Sequence, residues 1–240
     1  MPHGFFLDLL MTNIKPSNIL LVPPCDPALF FAQISSSRDA PGEMAIGRNN
    51  EGLPIVRARS QALLYPFPAC DPNSKIAWEK TSVKLADVGV ACWADKVPEH
   101  FTDLIQNPAL RAPEVCIGSG WGKPADLWSL GCTIYELVMG QSMIKEDVIP
   151  ESVPYLHTLR FGDYPLEMIK QGKYSKIFFN NEGSLRILLP QRSSLKSMVY
   201  SNGPPLNADA FIDFLQHMLM LDPKKRASCQ ELLAHEWLKR

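Results

Sequence analysis

The residues of this 240-residue chain that could do chemistry are a few polar groups beside turns and helix starts. Asp87 follows a predicted strand and begins Asp87-Val88-Gly89, and Asp126 lies in the first turn of a predicted helix. A carboxylate in a first turn accepts backbone N–H groups and interacts favourably with the helix dipole. Taken singly, Asp126 is therefore a helix-capping carboxylate, Asp87 a turn carboxylate, Asn18 a capping amide and Lys15 a surface lysine.

Histidine and cysteine give little support for a metal site. The five histidines show no metal-ligand spacing, which indicates scattered surface or core residues. They are His3, His100, His157, His217 and His235. The six cysteines lack any C-x-x-C pattern, so neither a zinc site nor a disulfide framework is indicated, and buried free thiols fit better.

The element that must position these groups is a helix predicted over residues 125–139. Its apolar residues fall on every face, and a helix of this kind must be wrapped by its own domain. Pro124 suits a first helical turn, and Gly140 is a natural stop. We therefore expect this helix to form the centre of a core.

The composition excludes some classes of function. With 46% hydrophobic residues and a formal charge of −1, the chain suits one large domain or two small ones. This charge balance gives no electrostatic case for nucleic acid or an anionic membrane surface. No run of 18 apolar residues occurs, which argues against a membrane span. We expect no direct nucleic-acid or membrane partner.

Outside the central helix the chain changes character several times. Eight prolines between residues 23 and 75 indicate a Pro-rich, disordered insert over about 23–80. Residues 141–165 are predicted to be rich in loops. The other predicted elements are the end of an apolar helix at 4–12, a strand at 82–86, and helices at 164–171, 208–221 and 229–238. The fold is predicted to be mainly α.

Five short motifs, in order along the chain, resemble those of protein kinases. They are Lys15-Pro16-Ser17-Asn18, Asp87-Val88-Gly89, Ala112-Pro113-Glu114, Asp126-Leu127-Trp128-Ser129-Leu130-Gly131 and Asp222 with Arg226. Finer features resemble the SR-protein-specific kinases. These are Thr12 in place of a loop arginine, the long insert before Asp87, Ala91-Cys92-Trp93, and Gly172-Lys173-Tyr174-Ser175-Lys176 followed by Phe178-Phe179.

The resemblance implies roles for particular residues. Phosphoryl transfer depends mostly on positioning and charge neutralisation. The family pattern implies that Asp87 and Asn18 bind Mg²⁺ and, with Lys15, hold ATP, Lys15 reaching the transferred phosphoryl group. It implies structural roles for Asp126 and for a buried ion pair between Glu114 and Arg226.

The sequence also departs from the family at its reacting centre. Asn13 occupies the position of the catalytic aspartate, and an amide cannot accept the proton of a substrate hydroxyl. Losing a general base costs roughly 10²–10⁴ in rate. Met11 replaces the loop histidine, and Asn107 stands where the activation segment normally has a threonine.

The resemblance covers only the large, mainly helical lobe. About a dozen residues precede the loop at Asn13, so we expect the chain to lack the small β-rich lobe. Residues 1–240 are thus predicted to be a partial kinase domain, the large lobe, with the disordered insert at 23–80 within it.

The implied activity is serine/threonine phosphorylation of Arg/Ser-rich proteins with ATP and Mg²⁺, in the cytoplasm or nucleus. For this chain we expect little or no activity. Two alternatives remain: a pseudokinase-like protein-binding module, and an incomplete gene product. The carboxylates after the central helix are Glu146, Asp147 and Glu151, accompanied by Lys145 and Arg160. They predict only weak, salt-sensitive binding of Arg/Ser-rich peptides.

Overall fold

The computed structural model describes residues 9–22, 43–58 and 82–239. The chain forms two compact units, one of residues 1–19 with 85–240 and one of residues 20–84. The strands are β1 Leu9–Leu10, β2 Ile19–Val22, β3 Glu43–Arg48, β4 Pro54–Ala58, β5 Ser82–Leu85 and β6 Cys92–Trp93. The α-helices are α1 Pro113–Ile117, α2 Lys123–Met139, α3 Val153–Phe161, α4 Leu166–Gln171, α5 Ser175–Phe178, α6 Leu195–Ser201, α7 Ala208–Met218 and α8 Cys229–Leu233.

The first unit is built around α2, the predicted central helix. Pro124 lies in its first turn, and Gly140 ends it in the left-handed conformation at φ +69°. Trp128, Cys132 and Tyr135 are each at most 2% exposed. Its last turn differs from the prediction of a helix wrapped on every side, because Leu137 stays 61% exposed.

Helix α7 packs closely on α2. Its apolar face is Phe211, Phe214, Leu215 and Met218, and all four are buried. A side chain at Gly131 of α2 would place its Cβ 3.1 Å from the Cβ of Met218. Glycine therefore allows this end of α7 to approach the α2 backbone.

One local prediction in the first unit is wrong. Leu9 and Leu10 were expected in a helix but form β1, which pairs antiparallel with β6 through Leu9–Trp93 and Leu10–Cys92. A pairing partner more than 80 residues away decides this conformation, so local apolar character does not reveal it. The stretch 141–165, predicted to be rich in loops, has loops on both sides of one helix, α3, with Pro154 in its first turn. Residues 1–8 of the predicted helix at 4–12 lie outside the described residues.

The second unit contains an antiparallel hairpin of β3 and β4. Residues 43–58 are thus regular structure within the stretch that the sequence predicts to be disordered. Asn49 organises the turn, because its Oδ1 accepts hydrogen bonds from the backbone N–H groups of Glu51 and Leu53 at 3.0 and 2.9 Å. Gly52 supplies the positive φ of +78° that the turn requires. The rest of the predicted insert lies mostly outside the described residues. Strand β2 pairs with β5.

No helix in the described ranges has both the length and the apolar character that crossing a membrane requires. Three of the cysteines that the structure describes, Cys92, Cys116 and Cys132, are buried free thiols, and Cys229 is an exposed one. Burial raises the pKa of the Cys132 thiol to about 12.

Candidate functional site

The loop of residues 11–18, here called the Asn13 loop, is anchored on the start of α2. The carboxylate of Asp126 accepts the backbone N–H groups of Met11 and Thr12 at 2.7 and 2.9 Å. Burial raises the pKa of Asp126, and these two hydrogen bonds act in the opposite direction. Asp126, which taken singly is predicted to cap its own helix, therefore binds the Asn13 loop.

Thr12 is held in an unusual conformation by the same contacts. Its φ is +55°, a value that costs energy for a β-branched residue. Its side chain is buried, and Oγ1 donates to the carbonyl oxygen of Val90 at 2.7 Å. The surrounding hydrogen bonds thus fix the direction in which the next residue, Asn13, leaves the core.

Asn13, Asn18 and Asp87 meet at one carboxylate. Asn13 Nδ2 lies 2.7 Å from Oδ2 of Asp87, and Asn18 Nδ2 lies 3.2 Å from the same oxygen. A carboxylate can only accept, so the NH₂ group of each amide must face Asp87. The backbone of Asp87 is left-handed, with φ +62°, and Ala86 N–H donates to the Asn18 carbonyl at 2.9 Å.

This arrangement decides which atoms remain for a cation. Asn18 Nδ2 also donates to the Asn13 carbonyl oxygen at 3.0 Å, so both of its amide hydrogens are used. Its Oδ1 and the carboxylate of exposed Asp87 are oxygen atoms that could bind a cation at this point. Hard oxygen ligands of this kind suit Mg²⁺, which also keeps several waters or phosphate oxygens.

Lys15 lies beside a cleft of about 140 Å³ that contains two carboxylates. The cleft is lined by Lys15, Pro16, Ser17, Asn107, Ala109, Leu110, Glu136, Ser142 and Glu146. Burial raises the pKa of Glu136, and the nearby charge of Glu146 adds to the effect. Glu136 is not among the site residues predicted from the sequence. The available signal was that α2 carries only two other charged residues, Lys123 and Asp126, in an otherwise uncharged helix.

Gln106 is a second residue that is not predicted from the sequence. Its Nε2 donates to the Ala125 carbonyl and to Ser129 Oγ, both at 2.8 Å, and its Oε1 accepts from Ala112 N–H at 2.9 Å. The amide thus joins the segment before α1 to α2. Its neighbour Asn107 caps the following turn by accepting Ala109 N–H at 3.0 Å.

Glu114 and Arg226 form a bidentate ion pair in the core. Both N–O distances are 2.7 Å, and the two side chains are at most 1% exposed. Arg226 also donates to the carbonyl oxygens of Pro124 and Met220 at 2.7 and 2.9 Å. Its guanidinium lies 5.1 Å from the ring centre of Trp128. The pair therefore joins α1, α2 and the segment after α7.

Comparison with known proteins identifies the family. A model of the protein kinase domain matches residues 73–238. The chain belongs to the protein kinase family. Within it the chain is of the SR-protein kinase type, since it is similar to serine/threonine-protein kinase SKY1 of Saccharomyces cerevisiae, with 35% identity over 194 residues. It is also similar to SRSF protein kinase 3 of Homo sapiens, with 37% identity over 168 residues.

Other comparisons extend over more of this kinase chain. The serine/threonine-protein kinase SRPK of Physarum polycephalum is 28% identical over 239 residues, which are 96% of the chain and 55% of that relative. The crystal structure of a kinase domain matches with a TM-score of 0.59 and 25% identity, covering 96% of the chain and 60% of that structure. For the yeast and human relatives, the matches cover 73% and 67% of this chain but only 25% and 29% of the relatives.

Proposed function

We propose that this chain is an SR-protein-kinase homologue with impaired phosphoryl transfer, which keeps a weak binding site for Arg-rich segments. The observation that carries the proposal is the 2.7 Å hydrogen bond from Asn13 Nδ2 to Asp87. At the position that the family uses for a proton-accepting carboxylate, this chain has an amide that is already engaged as a donor.

The chemical consequence follows from the amide group. A substrate hydroxyl must lose its proton as it attacks phosphorus, and a carboxylate can take that proton whereas an amide cannot. We expect the loss of this step to lower the rate by roughly 10²–10⁴. The contact with Asp87 also keeps the amide nitrogen beside the carboxylate proposed to bind metal.

ATP and Mg²⁺ are the proposed ligands of the remaining polar groups. Asp87 and Asn18 Oδ1 fit Mg²⁺ by their chemistry, and Lys15 fits a phosphate group. A bound Mg²⁺ would neutralise phosphate charge there. Because Oδ2 of Asp87 already accepts two amide N–H groups, we propose that these residues bind the ion weakly.

The cleft beside Lys15 supports the binding part of the proposal. Glu136 and Glu146 line it together, and their mutual repulsion falls when a cation enters. A guanidinium group suits such a pair because it donates several hydrogen bonds in one plane. At about 140 Å³ the cleft suits one side chain, so we expect low affinity.

The proposed setting, by family resemblance, is the cytoplasm or nucleus.

Fluorescence anisotropy with an Arg-Ser repeat peptide tests this binding. We expect weak binding at low ionic strength that disappears near physiological salt, where charges are screened within about 8 Å. Glu136→Gln should abolish the low-salt binding. The control Glu182→Gln, which removes an exposed acid that does not line the cleft, should leave it unchanged. Equal effects of the two variants would refute the cleft as the binding site.

A further inference from the structure

A cluster of metal-ligating side chains lies far in sequence from the Asn13 loop. Asp213 and His217 are one turn apart on α7, and His235 follows α8. One ligand atom of each lies within 4.8 Å of those of the other two. His235 Nε2 and Asp213 Oδ2 are 3.0 Å apart. Tetrahedral zinc with bonds of about 2.0–2.2 Å places its ligand atoms about 3.3 Å apart, so small side-chain rotations bring all three into range.

The hydrogen bond made by the His217 ring suits a metal ligand. Its Nδ1 lies 2.8 Å from the backbone carbonyl oxygen of Asp213, one turn earlier in the helix. A carbonyl oxygen only accepts, so Nδ1 carries the ring proton and the lone pair is on Nε2. Ligating histidines commonly donate the other ring N–H to a backbone carbonyl in this way, because the bond fixes both tautomer and ring direction.

His235 must change tautomer before its Nε2 can bind a metal. Its Nδ1 accepts the backbone N–H of Trp237 at 3.2 Å, so its Nε2–H now donates to Asp213. When a metal binds Nε2, the ring proton moves to Nδ1 and the long hydrogen bond from Trp237 is lost. Asp213 then exchanges the N–H group of His235 for the metal, and its carboxylate balances part of the positive charge.

We propose that Asp213, His217 and His235 form a Zn²⁺ site that joins α7 to the segment after α8, with water as the fourth ligand. Two imidazoles and a carboxylate match the donor preference of zinc, and three protein ligands leave one position open. The site opens on a cleft of about 520 Å³ that His217 and His235 share with Lys224 and Lys225. These lysines oppose a cation, so a moderate affinity is expected.

The test is a calorimetric titration of the full chain with Zn²⁺ alone. Wild type should bind one equivalent of Zn²⁺, and His217→Ala should raise the dissociation constant by at least about tenfold. Asp213→Asn is a sharper variant, because Asn can still accept the hydrogen bond from His235 but loses the charge, and it should weaken Zn²⁺ similarly. Gln216→Ala, an exposed neighbour on α7, is the control and should bind as wild type does.

A Co²⁺ spectrum distinguishes this site from binding at cysteines. Co²⁺ at these three residues should give visible bands without a thiolate-to-cobalt charge-transfer band. Circular dichroism of each variant establishes that its fold is intact. The proposal is overturned if His217→Ala and Asp213→Asn bind Zn²⁺ as wild type does, if wild type binds no equivalent, or if the cobalt spectrum shows thiolate ligation. In any of these cases the cluster is a hydrogen-bonded contact only.

Discussion

Glu114 and Asp87, two carboxylates of the kinase pattern, occupy opposite environments. Glu114 is 1% exposed and meets the full positive charge of Arg226 through two hydrogen bonds. Asp87 is exposed and accepts hydrogen bonds from the amides of Asn13 and Asn18. A buried charge needs a paired opposite charge, whereas water can solvate an exposed one. The scaffold therefore keeps a full charge pair, whereas the carboxylate of the candidate reacting centre is hydrogen-bonded to neutral amides.

The largest effect is expected from a variant that breaks the buried ion pair. Arg226→Ala leaves Glu114 buried without its cation and should lower the free energy of unfolding by about 3–5 kcal/mol. Urea denaturation measures it. Lys225→Ala is the matched control, since Lys225 is exposed and next in sequence, and it should change stability by no more than about 0.5 kcal/mol. Small and equal effects of the two variants would remove the case for the ion pair.

His157 is a second buried ionisable group. Its ring lies edge-on to that of Trp128, and the two ring centres are 4.9 Å apart. Burial lowers its pKa from 6.5 to about 3, and the charges of Arg160 and Arg226 add to the shift. In the unfolded chain His157 therefore takes up a proton below about pH 6.5, whereas in the folded chain it does so only near pH 3. This contribution to stability is complete above pH 6.5 and is lost as the pH falls.

Between pH 7.5 and 5.0 that loss should be about 2 kcal/mol. The measurement is urea unfolding at both pH values for wild type and for His157→Asn. The variant should show a pH dependence smaller by about 2 kcal/mol. Parallel behaviour of the two proteins would mean that His157 takes up its proton in the folded state as readily as in the unfolded one.

The sequence predicted the buried side better than the exposed one. The position of α2 follows from local signals, since Pro124 and Gly140 bound an apolar segment. The contact between Glu114 and Arg226 follows from the family pattern. The direction of Asn13 towards Asp87 does not follow from either, because it depends on two loops 74 residues apart. The position of Glu136 beside Glu146 in one cleft does not follow from the sequence pattern either.

Helix α3 and the proposed zinc ligands also depend on contacts between residues that are distant in sequence. Within the stretch 141–165, predicted to be rich in loops, Val153 and His157 are fully buried, and their packing stabilises helix α3. Asp213 and His217 have helical spacing, yet their third partner is His235, 22 residues beyond Asp213. Tertiary contacts of this kind are not visible as ligand spacing along the chain.

A smaller effect is expected on the exposed side. Asn13→Asp replaces the donor to Asp87 with a second carboxylate, and the like charges should lower stability by about 0.5–1 kcal/mol. Added Mg²⁺ or Mn²⁺ should restore it, as measured by thermal unfolding with and without the ion. Asn202→Asp, the same change at an exposed residue after α6, is the control and should show no such rescue. Equal responses of both variants to the ion would contradict the contact between residues 13 and 87.

The most direct test of the central claim is transfer of radiolabelled phosphate from Mg-ATP to an Arg/Ser-rich peptide. The reference is Asp87→Ala, which removes the carboxylate proposed to bind metal. Because wild type has Asn13 in place of the base and is proposed to bind Mg²⁺ only weakly, we expect its transfer to be too slow to exceed that of this variant. Transfer by wild type well above the level of Asp87→Ala would show that the site works as a kinase without a carboxylate at residue 13, and would contradict the account.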